Sequence, residues 1–136
     1  MRAVVSLGSN LGRRSENLSR ALELLSQMPD TELVAASSVI ETEPVDVPDG
    51  FSHLKFLNQV AIFESSLEAE DFSRRMHAVE DALGRVRTVR NGPRTIDIDL
   101  VDYGGIVMET PDLTLPHPRA KERDFVMKPL RELERA

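Results

Sequence analysis

Cysteine and tryptophan are both absent from this 136-residue sequence, and its aromatics amount to five phenylalanines and one tyrosine. Without cysteine there is no disulfide, no thiolate metal site and no cysteine nucleophile, which is the usage expected of a cytoplasmic protein. Long apolar runs are missing as well. The opening "MRAVVSLGSN" is too short for a signal peptide, and no later stretch approaches a membrane span. Nor is there an excess of positive charge. The net charge of -6 argues against a general nucleic-acid binder and against a protein of anionic membranes, both of which use broad basic surfaces. What is present suits one globular domain over residues 1–136. At 40% hydrophobic content the chain can bury a core without metal or disulfide support.

The basic residues are few but clustered. "GRVRTVRNGPR", from Gly84 to Arg94, carries Arg85, Arg87, Arg90 and Arg94 with no acid among them. A second, mixed group, "HPRAKERDF", holds His117, Arg119, Lys121 and Arg123. Concentrated arginines on an acidic protein suit a compact polyanion such as a nucleoside triphosphate, because the guanidinium fork matches phosphate oxygens. A merely solvated loop is the competing reading.

Strand and helix patterns alternate along the chain without repeats. "RAVVSLGS" reads as a first strand that leaves through a turn from Gly8 to Gly12. "SENLSRALELLSQM" places Leu18, Ala21, Leu22, Leu25 and Met28 at helical spacing, with Ser15 as the N-cap and Pro29 as the stop. "ELVAASSVIET" and "FLNQVAIFES" read as the second and third strands, separated by "EPVDVPDGFSH", a loop long enough to be a lid. "LEAEDFSRRMHAVEDALG" is a second helix with Ala69, Phe72, Met76, Val79 and Leu83 on one stripe, ending at Gly84. The order strand, helix, strand, strand, helix, strand predicts a ferredoxin-like α+β sandwich. Its two helices would cover one face of a mainly antiparallel sheet and leave the other face free for loops and a ligand. The tail adds a hairpin and a final helical piece.

The fourth strand, "TIDIDLVDYG", carries the most unusual pattern. Successive strand side chains point to opposite faces, so Ile96, Ile98 and Leu100 enter the core while Asp97 and Asp99 share the other face. Two carboxylates roughly 6.6 Å apart repel by about 0.6 kcal/mol in water and about 2.5 kcal/mol at an effective dielectric near 20. That is tolerable on a solvated surface and awkward in a cleft, so energy alone leaves both readings open. With the strand starting after Arg94, the Gly92-Pro93 turn would aim Arg94 at phosphate rather than into the core.

Smaller signals have ordinary explanations beside functional ones. "GSNLGRR" lacks the spacing and the Lys-Ser/Thr of a phosphate loop. Glu80, one turn before the arginines, would normally be solvated. His117 stands between two prolines, a setting that disfavours helix. Phe63 and Phe72 fit core stripes, whereas Phe51, Phe56 and Phe125 fall at element edges, where a flat ring can either pack or stack on a planar heterocycle.

Taken together, "GPRTIDIDLVDYG" with "LGSNLG", "ETEPV", "FLNQV", "LGRVR" and "LPHPRAKERDFVMKPL" resembles the 6-hydroxymethyl-7,8-dihydropterin pyrophosphokinase family nearly end to end. The resemblance implies transfer of pyrophosphate from ATP to a pterin alcohol in folate biosynthesis, with ATP and 6-hydroxymethyl-7,8-dihydropterin as small-molecule partners and a monomer as the expected state. It implies that Asp97 and Asp99 ligate two Mg²⁺ ions bound with ATP, which would relieve the carboxylate repulsion. Arg85, Arg87 and Arg94 would contact phosphates, Arg85 and Arg94 at the transition state. His77, Glu80, Ile98, Thr114, His117 and Arg123 align with nucleotide-binding positions, Ile98 through its backbone. Thr42, Val45, Phe56, Asn58, Asp97 and Phe125 align with the pterin pocket, Phe56 and Phe125 sandwiching the ring.

The sequence departs from the family at Asn91, where many relatives carry tryptophan, and at Asp46, where glycine is common; relatives also continue beyond "LRELERA". Two other classes share parts of the pattern. A two-metal nucleotidyl transferase or cyclase would need a nucleotide acceptor, and a non-catalytic ligand-binding domain of the same fold would need neither the arginines nor the carboxylate pair.

Overall fold

The computed structural model describes residues 1–10, 12–42, 55–84, 96–118 and 124–134, apart from the side chains of 124, 125 and 134. Its centre is β1 (Arg2–Ser9), whose apolar run is paired on both sides. On one side lies β4 (Phe56–Ser65), antiparallel from Arg2↔Glu64 to Ser9↔Leu57; on the other lies β5 (Asp97–Tyr103), antiparallel from Ala3↔Tyr103 to Gly8↔Asp97. β2 (Thr31–Ala36) pairs with the outer side of β4, giving the order β2-β4-β1-β5. This is the expected ferredoxin-like sandwich. The third strand begins and ends where its sequence pattern does.

The second strand departs from expectation. The run read as continuous from Glu32 to Thr42 is divided into β2 and a short β3 (Ile40–Thr42), both antiparallel to β4. Between them Ser37 turns its backbone onto Val60, with Ser37 N–H donating to Val60 O at 2.8 Å and Val60 N–H donating to Ser37 Oγ at 3.0 Å. Ser37 O accepts from the Gln59 amide at 2.7 Å. A polar side chain has taken over a ladder bond, so the strand breaks without leaving buried backbone unpaired.

The helices α1 (Arg14–Ser26) and α2 (Ala69–Ala82) lie on one face. Their stripes are those the spacing predicts. Leu18, Ala21 and Leu25 of α1 and Phe72 and Met76 of α2 are buried against Val5, Leu7, Ala61, Phe63, Ile98 and Leu100. Burial of each large apolar side chain contributes about 1.5–3 kcal/mol. Tyr103 stacks beside Phe72 with ring centroids 5.3 Å apart, and its hydroxyl donates to Leu67 O. The N-cap of α1 is Arg13, with no side-chain cap bond, rather than Ser15, so the helix starts two residues earlier than its sequence pattern suggests. Gly84, at φ +73, ends the run of α2 in the left-handed conformation open to glycine.

The opposite face is covered in part by a third helix. After a two-strand hairpin of β6 (Met108–Glu109) and β7 (Thr114–Leu115), α3 (Asp124–Glu134) returns across it. Val126, Leu130 and Leu133 of α3 pack on Val4, Val60, Ile62 and Val101. The expectation of a face left wholly to loops and ligand is therefore corrected: residues at i, i+4 and i+7 of the tail form an apolar stripe that needs this surface. At its far end Glu132 Oε2 accepts from both the Ser38 N–H and the Ser38 hydroxyl, each at 3.0 Å.

Candidate active site

Among the described residues, the part of this face that α3 leaves uncovered begins where the apolar patch ends. Ile96, Ile98 and Leu100 are buried among the helices, as strand parity requires, so Asp97 and Asp99 project to the open side, each partly exposed. Across β1 they stand opposite Gly8 and Ser6. The same Gly8 stands opposite Asn58 on β4, and Asn58 stands opposite Ile40 on β3. One row across four strands thus reads Asp97, Gly8, Asn58, Ile40. Beyond it, Thr42 pairs with Phe56. The Asn58 amide donates to Thr42 Oγ1 at 2.6 Å, which fixes the amide plane and leaves its carbonyl end toward Gly8.

Of the residues aligned with a pterin pocket, Thr42, Phe56 and Asn58 therefore sit together on β3 and β4, and Asp97 lies in the same row across β1. Val45 lies outside the described residues, as does the side chain of Phe125.

The nucleotide-aligned residues divide. Arg85, Arg87, Arg94 and Arg123 lie outside the described residues, as do Asp46, Phe51, Asn91 and the Gly92-Pro93 turn. β5 enters the ladder at Asp97. Glu80 corrects the ordinary expectation for a carboxylate near a helix end: it is fully buried, at 0% exposure. Its Oε2 accepts the Ile98 backbone N–H at 3.0 Å, and its Oε1 lies 2.5 Å from Nδ1 of the half-exposed His77. Thr114 opens β7, and His117 follows it, its N–H donating to Val101 O at 2.8 Å. Both are thus carried beside β5.

The donor set bears on the metal. Among the described residues no group of three or more His, Cys, Asp or Glu side chains converges, so Asp97 and Asp99 stand as a pair. Two hard oxygen donors on one face fit Mg²⁺, which keeps several waters and takes one or two carboxylates together with substrate phosphates. They do not fit a structural zinc site, which closes four protein ligands around the ion.

The sequence pattern does not single out Gly8 as a site residue; it lies inside β1, where the run "RAVVSLGS" reads as a strand. Its signal was available: a glycine inside an alternating apolar run marks a bulge or a close approach.

Comparison with known proteins gives a consistent result. Residues 4–135 match the family model described as 7,8-dihydro-6-hydroxymethylpterin-pyrophosphokinase. The chain is 39% identical over 131 residues to a 2-amino-4-hydroxy-6-hydroxymethyldihydropteridine pyrophosphokinase of Bacillus subtilis, covering 96% of this chain and 77% of that protein. It is 36% identical over 132 residues to the protein of the same name from Pseudomonas aeruginosa, covering 97% and 80%. A solved structure described as HPPK-DHPS in complex with substrates superposes with a TM-score of 0.72 over 97% of this chain and 40% of that one; at 11% identity this likeness bears on the fold.

Proposed function

The chain belongs to the 7,8-dihydro-6-hydroxymethylpterin-pyrophosphokinase family, and we propose that its reaction takes place on the open half of the sheet, between the Asp97–Asp99 pair and the Asn58–Thr42 pair. The family reaction moves pyrophosphate from ATP to 6-hydroxymethyl-7,8-dihydropterin. The pterin hydroxyl oxygen bonds to the β-phosphorus, the bond from that phosphorus to the α,β-bridging oxygen breaks, AMP departs, and the hydroxyl proton is lost. Catalysis of such a displacement is mainly positioning and charge stabilisation.

Each element of this face has a part in that work. Asn58, its amide held by Thr42, presents a fixed hydrogen-bonding edge to the polar rim of the heterocycle. Phe56, at the start of β4, offers a flat ring for stacking. Asp97 and Asp99 hold two Mg²⁺ ions with the triphosphate, which supplies the charge neutralisation that two carboxylates alone would oppose. Arg85, Arg87, Arg94 and Arg123 supply guanidinium contacts to phosphate, a role that rests on their alignment with the family. His77, Thr114 and His117 border the nucleotide side, and Val45 and Phe125 the pterin side, on the same ground.

The observation that carries this placement is the single row of Asp97, Gly8 and Asn58 on one face of adjacent strands. The test is AMP release by purified protein with ATP, Mg²⁺ and 6-hydroxymethyl-7,8-dihydropterin, omitting one component at a time. AMP is expected only when all three are present. Turnover with a nucleotide acceptor in place of the pterin would assign the chain to the transferase class instead.

A further inference from the structure

The motif "GSNLGRR" ends in two arginines that no phosphate loop explains, and both stand at the start of α1, where positive charge opposes the helix dipole. Arg13 is occupied locally: it meets Glu16 of the same helix at 3.5 Å with its side chain 82% exposed, an arrangement that adds little to stability. Arg14 differs. Its side chain, 32% exposed, leaves the helix and reaches the sheet at two points, with Nη2 3.0 Å from Glu41 Oε2 and Nη1 donating to Lys55 O at 2.8 Å.

Both partners sit at the same end of one strand pair. Glu41 lies in β3 opposite Leu57, next to the Thr42–Phe56 pair that ends the ladder, and Lys55 immediately precedes Phe56. Leu57 packs on the helix-covered core, so Glu41 beside it faces the helices, whereas Thr42 and Asn58, joined by their hydrogen bond, face the other way with Phe56. Arg14 thus grips β3 and β4 from behind. β3 is three residues long and pairs with β4 alone among the described strands, a short ladder that holds its end weakly. A guanidinium that donates to a carboxylate on one strand and to a carbonyl on the other braces that end at two points, which the single ammonium of a lysine would not do in a fixed plane. We propose that Arg14 is a positioning residue for recognition of the flat heterocycle: its brace sets the spacing between Thr42 and Phe56, and with it the aim of the Asn58 amide and of the Phe56 ring. This rests on the site placement proposed above and adds to it a residue on the opposite face of the sheet.

The experiment measures, by calorimetry, the dissociation constant of a non-hydrolysable ATP analogue with Mg²⁺ and that of 6-hydroxymethylpterin in the presence of the analogue. The proteins are wild-type, Arg14→Ala, Glu41→Gln and the double variant, each also followed by thermal unfolding and by kcat with the dihydropterin. Arg14→Ala is expected to weaken pterin binding about fivefold, with analogue affinity and kcat at saturation changing less than twofold and the melting temperature moving little, since a partly exposed ion pair adds little to stability. Glu41→Gln is expected to weaken pterin binding by less, because Arg14 keeps its bond to Lys55 O. The double variant is expected to bind pterin no more weakly than Arg14→Ala, because Glu41 acts through Arg14. Additive losses in the double variant would overturn the inference, as would pterin affinity of Arg14→Ala within twofold of wild type. A parallel fall in pterin and analogue affinity, the mark of general loosening, would overturn it too. Failure of the wild-type protein to bind pterin would remove the site placement and the inference with it, whereas wild-type binding with an indifferent Arg14→Ala removes the inference alone.

Discussion

Glu80 Oε2 accepts the backbone N–H of Ile98 at 3.0 Å, tying the last turn of α2 to the residue between Asp97 and Asp99. The carboxylate is fully buried, and its other oxygen meets His77. The backbone between the two aspartates is therefore held by a side chain of α2. Replacing Glu80 with alanine would orphan a buried N–H, at about 1–3 kcal/mol. Glu80→Ala is expected to lose stability of that order and to lower kcat; Glu80→Gln, which keeps an acceptor oxygen for Ile98, should recover most of both. Thermal unfolding and steady-state kinetics on the two variants check this, and equal kcat loss in both would point to a need for the charge itself.

Asp97→Ala and Asp99→Ala are each expected to abolish turnover with the fold intact, since both side chains face away from the helix-covered core. Mg²⁺-dependent binding of a non-hydrolysable ATP analogue should weaken in the same variants, a readout independent of turnover. Near-normal activity of either variant would return the pair to a solvated strand face.

Phe56→Ala should raise the pterin dissociation constant by the stacking contribution of about 0.5–1.5 kcal/mol plus lost burial. Its kcat at saturating pterin should change less, because a ring stacked in ground and transition states alike contributes uniform binding. A fall in kcat with unchanged affinity would contradict that division.

Tyr103 gives an alkaline signature. Burial holds its phenol above the ordinary value of 10.0, with nearby carboxylates of Glu68, Glu64 and Asp71 acting in the same direction. The folded state thus keeps a proton that the unfolded state gives up. Stability is whole below pH 10 and falls as pH rises from there through the folded value. Tyr103→Phe is expected to flatten that decline while costing about 0.5–1.5 kcal/mol at neutral pH for the lost bond to Leu67 O. Urea unfolding of both proteins from pH 8 to 11 measures the two slopes.

Local periodicity was enough to read much of this molecule. Alternation alone set Ile96, Ile98 and Leu100 inward and the aspartates outward, and helical spacing picked the buried stripes of α1 and α2. Glu80 escaped that reading because its burial depends on a donor 18 residues away that no window on the helix contains. Gly8 stands near the end of the run read as the first strand, where the turn to Gly12 begins; pairing with β4 and β5 together carries the ladder through it. The stripe of Val126, Leu130 and Leu133 was visible, but which surface it covers is a property of the assembled sheet.

That covered surface sets where water can come from. Just below Asp99 and Ser6 the sheet passes into Val4, Val60, Ile62 and Val101, sealed by α3. Pyrophosphate transfer competes with hydrolysis, and the competitor is present at far higher concentration than any alcohol. With the substrates on the open face as proposed, an apolar seam along its lower border removes one side from which solvent could reach the phosphorus. The C-terminal helix would then be a weather-side wall as much as a structural brace, and loosening it should appear as wasted ATP before it appears as lost fold.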